Sequence, residues 1–259
     1  MPARPTRQPD TQKLDKTVAL IDQRLGLGTI KRARDLPLVS STPHIASGFD
    51  ALDRITGIHG LPLGHLSLLS GRTTSGKLSI AYNILAHAQG TGRHKNDIAV
   101  IDCSRTSDAD YIARCGVDLA HTLFVRPPDP EQAVPLIFDL LQGFGLHAVL
   151  IDGLGDLLRT RRIAHGFDAA LPQLAATLRN AQCALICLDE PSPPWLRWLK
   201  LGSGAITHAA ALHIEIARAR WVYDDASGDV RGYASTARVV KSRWARAGVQ
   251  CELALDIHP

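Results

Sequence analysis

The sequence predicts an α/β domain with a mostly parallel central sheet, helices on both faces and an antiparallel hairpin at its C-terminal end. Three observations carry this reading. From Ile45 onward, short apolar runs alternate with longer helical segments, as expected of strands that are covered on both faces. A glycine-bounded loop, Gly71 to Lys77, separates one such run from a helical segment. After Ala211 the helical segments stop, and the polar, glycine-containing stretch from Tyr223 to Gly232 joins two strand-like runs.

The 259 residues, 45% of them hydrophobic and 21% charged, suffice for a substantial core without disulfides. A net charge of +4 and a pI near 8.9 are mildly basic, which admits an anionic partner without requiring one. Cys103, Cys115, Cys183, Cys187 and Cys251 are odd in number and lie mostly in apolar runs, so they read as reduced core thiols rather than a metal site. Met1 to Lys16 is polar and has no apolar core of a secretory signal, and no run reaches the length of a membrane span. A cytoplasmic location is expected.

In chain order, Leu14, Val18, Ile21, Asp22 and Leu25 recur at helical spacing and end at Gly26 and Gly28. This predicts a short amphipathic helix that must pack on the main domain or on a neighbouring molecule. Residues 1–42 are thus assigned to a polar leader, this helix and a linker, and residues 43–259 to the core. Strands are predicted at Gly64 to Ser70, Ile98 to Asp102, Thr122 to Arg126, Ala148 to Ile151, Cys183 to Leu188, Ala211 to Ala217 and Ala237 to Lys241. Helices are predicted at Ser79 to Gln89 and Glu131 to Gly143.

Gly71-Arg72-Thr73-Thr74-Ser75-Gly76-Lys77 has the strand, loop and helix context of a phosphate-binding loop. Small residues let backbone N–H groups turn inward around a phosphate, the following helix presents its positive end, and Lys77 adds a mobile cation. A nucleotide-binding role is expected for Gly71, Thr73, Thr74, Ser75, Gly76 and Lys77. The residue after the lysine should offer a hydroxyl to Mg²⁺ and is Leu78. Ser79 is rotated by about 100° around the helix and would need a local shift to replace it. Asp152 ends an apolar strand downstream, where a carboxylate can orient Mg²⁺ or its water.

From about Gln12 almost to its end the chain resembles bacterial RecA recombinase. The resemblance rests on the N-terminal helix followed by Gly28-Thr29-Ile30, on Ser47 to Asp53 with Gly60 to Gly64, on Tyr111 to Arg114 with Gly116 to Asp118, and on Val239 to Arg243. It implies a RecA-like P-loop core, ATP and Mg²⁺ as cofactors, and a role in DNA recombination or repair of the SOS type. It also implies docking of the N-terminal helix on another copy of the chain or on a RecA-type protomer. Lys77 would contact the β and γ phosphates, and Asp152 would serve the metal. Asp108 and Tyr111 fall where the family places an Asp and a Tyr against adenine, although Tyr111 equally fits a half-buried helix residue. Lys241 and Arg243 align with basic residues that reach a neighbouring protomer's γ-phosphate; solvated strand charges fit them almost as well.

Three departures weigh against hydrolysis. The family's catalytic glutamate falls on Ser104, its γ-phosphate-sensing glutamine falls on Glu190, and Leu78 replaces the metal-binding hydroxyl. No catalytic residue is therefore assigned. The resemblance runs out with the core sheet near Asp256, so no counterpart of RecA's additional C-terminal domain is expected.

In RecA, two loops after the corresponding strands hold single-stranded DNA. Here the first region, Gly153 to Pro172, carries Arg159, Arg161 and Arg162, which fit either phosphate contacts or a solvated helix end. The second, Pro191 to Lys200, interleaves Trp195 and Trp198 with Arg197 and Lys200, which fits base stacking or a protein-docking patch. Two functions follow: a divergent ATP-binding recombination protein on single-stranded DNA, or an inactive scaffold that acts through a translesion polymerase complex or a RecA filament. A small-molecule kinase ranks last, because no lid-like arginine segment accompanies the loop.

Overall fold

The computed structural model describes residues 11–26, 30, 42–92, 94–143, 145–158, 160–191, 204–224 and 228–256. The chain divides into two compact units, Met1–Ser41 and Thr42–Pro259. In the first, helix α1 (Thr11–Leu25) ends where Gly26 takes a positive φ of 104° and its N–H bonds to the Asp22 carbonyl. That is the glycine stop predicted from the sequence.

The second unit opens with a small ribbon of β1 (His44–Ile45) and β2 (Leu61–Pro62), with α2 (Asp50–Thr56) between them. The main sheet comprises β3 (Leu66–Ser70), β4 (Ile98–Asp102), β5 (Thr122–Val125), β6 (Ala148–Asp152), β7 (Ala184–Asp189), β8 (Leu212–Tyr223), β9 (Val230–Ser242) and β10 (Gln250–Asp256). Their spatial order is β10-β9-β8-β3-β7-β6-β4-β5. All neighbours from β8 to β5 run parallel, and β9 and β10 join antiparallel. The predicted fold class is thus observed.

The intervening helices are α3 (Lys77–Gln89), α4 (Ala109–Arg114), α5 (Pro130–Gly143), α6 (Leu154–Leu157), α7 (Arg161–Ala181) and α8 (Gly204–Ala209). Alternate residues of the central strands face opposite sides. Val100, Leu150 and Ile186 pack with Ile80, Leu85 and Ile112 from α3 and α4. Ala99, Val149 and Leu185 pack with Ile137 and Phe167 from α5 and α7. Both faces are apolar because both are covered. The free thiols of Cys115, Cys183 and Cys187 are buried in these layers.

Two features depart from the sequence reading. The region Gly153 to Pro172, read as a loop, is helical at Leu154–Leu157 and again from Arg161. Ile163, Phe167, Leu171, Leu174 and Leu178 form one buried stripe through α7, and burial of about 1.5–3 kcal/mol per such side chain outweighs the hydrogen bond lost at the exposed Pro172. The hairpin strands are also longer than expected, and β10 adds a further antiparallel strand. Because Ser70 of β3 is level with Glu215 of β8, the rest of β8 and the paired part of β9 extend past the end of β3. They wall the space into which the phosphate loop projects.

Candidate nucleotide site

The loop from Gly71 to Gly76 leaves the C-terminal end of β3, and Lys77 opens α3. Its conformation needs its glycines. A Cβ on Gly71 would lie 2.4 Å from the Ile216 carbonyl oxygen, and Gly76, at φ 90°, would meet Leu255 at 2.5 Å. Thr74 also takes a positive φ of 63°. Ser235 on β9 donates its hydroxyl to the Ser75 carbonyl at 2.8 Å, which pins the loop to the hairpin.

Thr73, Thr74, Ser75, Gly76, Lys77 and Ser79 line one cleft of about 530 Å³. Tyr111, Tyr233, Asp152, Ser104 and Glu190 also line it. The C-terminal ends of β3, β4, β6 and β7 supply most of these groups, the edge at which open parallel sheets bind ligands. Tyr233 was missed by sequence reasoning; its register on β9, opposite Trp221, is what brings it here.

Ser79 faces the two tyrosines. Its hydroxyl is 2.6 Å from the Tyr111 hydroxyl and 3.3 Å from that of Tyr233. Leu78 has no ligand atom to offer. Asp152 is the strand-end carboxylate of the cleft, and among the described residues no group of three or more His, Cys, Asp or Glu is placed to hold a metal, so the lining fits a metal carried in by nucleotide phosphates better than one held by the protein alone.

Asp152 is buried, and its Oδ2 accepts from the Ser104 and Ser107 hydroxyls, both at 3.4 Å. Burial, and then the charge of Asp102, raise its pKa, with Ser107, Lys77 and Ser104 opposing. Asp102 is fully buried. Burial pushes its carboxyl up too, but Arg126 at 3.0 Å, the Ser104 hydroxyl and the N–H groups of Ser107 and Thr106 together hold it below the ordinary value. Ser104 thus lies within hydrogen-bond reach of two carboxylates.

A raised folded-state pKa contributes stability below the unfolded value of 3.8 and loses it as pH rises through the folded value. Burial and the charge of Asp102 make the ionised form of Asp152 costly. Asp152→Asn is therefore expected to raise the unfolding free energy by about 0.5–2 kcal/mol at pH 7, with the gain shrinking under acid. Urea titrations at the two pH values check this, and a destabilised variant at pH 7 contradicts it.

Glu190 follows β7 directly, and the Gly71 N–H bonds to the Asp189 carbonyl at 3.1 Å. Glu190 Oε1 accepts from the Thr73 hydroxyl at 2.8 Å and from Lys77 Nζ at 3.0 Å. Burial raises its pKa, but the hydrogen bonds from Lys77 and Thr73 prevail and lower it.

Other predicted residues lie elsewhere. Asp108 caps α4, accepting from the Asp110 N–H at 2.9 Å, and does not line the cleft. Nor do Lys241 and Arg243. Lys241 pairs with His213 on β8, and its ammonium donates to the carbonyls of Thr207, at 3.0 Å, and His208 at the end of α8. Arg161 and Arg162 are exposed in the first turn of α7, capped by Thr160, and Arg162 is 3.4 Å from Glu131. Arg159, Trp195, Arg197, Trp198 and Lys200 lie outside the described residues, as do Gly28 and Thr29.

A glycine-bounded loop between the central strand of a parallel sheet and a helix, with a strand-end carboxylate facing its lysine, defines a P-loop protein. Comparison with known proteins carries the assignment further. Residues 12–186 match the RecA N-terminal domain. The chain is 32% identical over 173 residues to Protein RecA of Roseiflexus sp. (strain RS-1), covering 66% of this chain and 48% of that protein. It is 29% identical over 260 residues to Protein RecA of Arthrobacter sp. (strain FB24), covering 92% and 71%. Protein RecA of Salinispora arenicola is 27% identical over 266 residues, covering 94% and 74%. The chain belongs to the RecA family and has a RecA-like fold. In the first of these alignments it spans about half the length of its relative.

Proposed function

We propose that this chain is a RecA-like ATP-binding protein of DNA recombination and repair, acting in an SOS-type response, that binds single-stranded DNA with weakened or lost ATP hydrolysis. The observation that supports this is one cleft lined by Lys77, Asp152, Leu78, Ser104 and Glu190, the last three being the residues that the resemblance puts at the family's hydrolytic positions. The loop and Lys77 would bind phosphates, Tyr111 and Tyr233 would receive the base, and Asp152 would hold a phosphate-borne Mg²⁺. A serine lacks the basicity to take a proton from water near pH 7.

The DNA part draws on Arg161 and Arg162, whose charges oppose the α7 dipole and would be relieved by phosphates. It draws also on Arg159 and on the Trp195, Arg197, Trp198 and Lys200 segment. Lys241 and Arg243, away from the chain's own cleft, suit a neighbouring copy's nucleotide, with the N-terminal segment 1–42 as the docking element and 43–259 as the core. No helix among the described residues is long and apolar enough to cross a membrane; a cytoplasmic site of action fits this reading.

The Glu190–Lys77 pair favours a second reading, an inactive scaffold that contacts a translesion polymerase complex or a RecA filament. The test is thermal unfolding with and without Mg-nucleotide, alongside turnover with and without single-stranded DNA. A rise in Tm with little turnover and measurable DNA binding is expected. No rise at millimolar nucleotide removes the ATP-binding reading, and rapid DNA-stimulated turnover removes the weakened-hydrolysis part.

A further inference from the structure

We infer that Glu190 sets the ligand preference of the cleft, its carboxylate taking the place of a terminal phosphoryl group so that the site favours a nucleoside diphosphate over a triphosphate. This rests on the nucleotide-binding reading above and specifies its ligand. Glu190 Oε1 takes a charge-assisted hydrogen bond from the loop lysine and a second bond from a loop hydroxyl, at 3.0 and 2.8 Å. These are the donor types with which a phosphate loop grips phosphoryl oxygens.

The backbone makes this contact a built one. Asp189 is in register with Ser70, and the Gly71 N–H bonds to its carbonyl, so the next residue leaves β7 beside the loop entrance. Lys77 is largely enclosed, with 13% of its side chain exposed, whereas Glu190 is 57% exposed. The carboxylate can therefore swing into water when displaced. It is a competitor for the lysine, not a plug.

The surroundings strengthen the discrimination. Asp152 lines the same cleft, which adds a second carboxylate to the surroundings of an incoming phosphoryl group. Leu78 supplies no hydroxyl to help hold a metal that would screen these charges. A diphosphate leaves the Glu190–Lys77 pair in place and takes the loop amides and the start of α3; a triphosphate must break the pair and desolvate its last phosphoryl group beside a like charge.

The experiment is calorimetric titration of the full chain with Mg-ADP and with the Mg-imido analogue of ATP, for the wild type and Glu190→Gln. Glutamine keeps the size and an acceptor but not the charge, and the position is exposed, so folding, followed by circular dichroism, should persist. The wild type should bind the diphosphate at least about tenfold more tightly, and Glu190→Gln should bring the two ligands to within about threefold. Glu190→Asp, with a shorter reach to Lys77, should fall between. Equal ratios in wild type and Glu190→Gln, or a wild type that prefers the triphosphate analogue, overturn the proposal while nucleotide binding stands. Absence of binding for both ligands in both proteins overturns the proposal together with the reading it rests on.

Discussion

With Lys77 replaced by alanine, the stabilisation conferred by a bound nucleoside triphosphate is expected to drop from about 2.7 to about 0.4 kcal/mol at a ligand concentration one hundred times the wild-type Kd. The arithmetic follows from the charge-assisted hydrogen bonds that the ammonium would make to phosphate, worth roughly 1.5–3 kcal/mol each, so that one or two of them account for about a hundredfold in affinity. Lys77 is mostly enclosed by the loop, and solvent compensates little for its loss. Without ligand the variant should unfold almost as the wild type does, because the Glu190 carboxylate it releases is more than half exposed. Paired unfolding scans measure both effects, and an undiminished nucleotide-induced shift would remove Lys77 from the site.

Arg126→Ala is expected to cost about 2–3 kcal/mol of stability without any ligand. Asp102 has no solvent exposure, and Arg126 Nε is 3.0 Å from its Oδ2 while a second guanidinium nitrogen donates to the Ser107 carbonyl at 2.9 Å. The guanidinium also lies 4.9 Å over the Phe124 ring. Removing one partner of a buried pair costs about 3–5 kcal/mol, discounted here because Arg126 is about half exposed. A depressed folded-state pKa contributes stability above the unfolded value and loses it as pH falls through the folded one. The deficit should therefore be full at pH 7 and shrink below about 3.8. Adding Asp102→Asn to Arg126→Ala should recover part of the loss, and a double-mutant cycle in urea reads that coupling.

The elements legible in the sequence are those whose signal is local. β4 occupies the predicted residues Ile98–Asp102, and the phosphate loop lies between strand and helix where its glycines and lysine put it. α7 was obscured by Pro172, which reads as a boundary, and only the pairing of α7 with α5 over one apolar layer shows why the helix runs on. Gln250–Asp256 alternates inward Leu253 and Leu255 with exposed neighbours, a weak signal that becomes a strand by pairing with β9. The site shows the same division. Gly71, Gly76 and Lys77 lie within one short loop and helix start, and Asp152 ends a local apolar strand, so each has a local signal. The meetings of Glu190 with Thr73 and Lys77, of Tyr233 with Ser79, and of Arg126 with Asp102 depend on strand order and register, which no local pattern encodes.

The ammonium of Lys241 has three protons to give, and two of them are spent on the last turn of α8, at the carbonyls of Thr207 and His208. An anion that took those two N–H groups would compete with a helix end for them. Such an anion would loosen α8 by the amount that its own affinity is reduced. A single side chain on the outer part of the sheet thus ties the end of the six-residue α8 to β9.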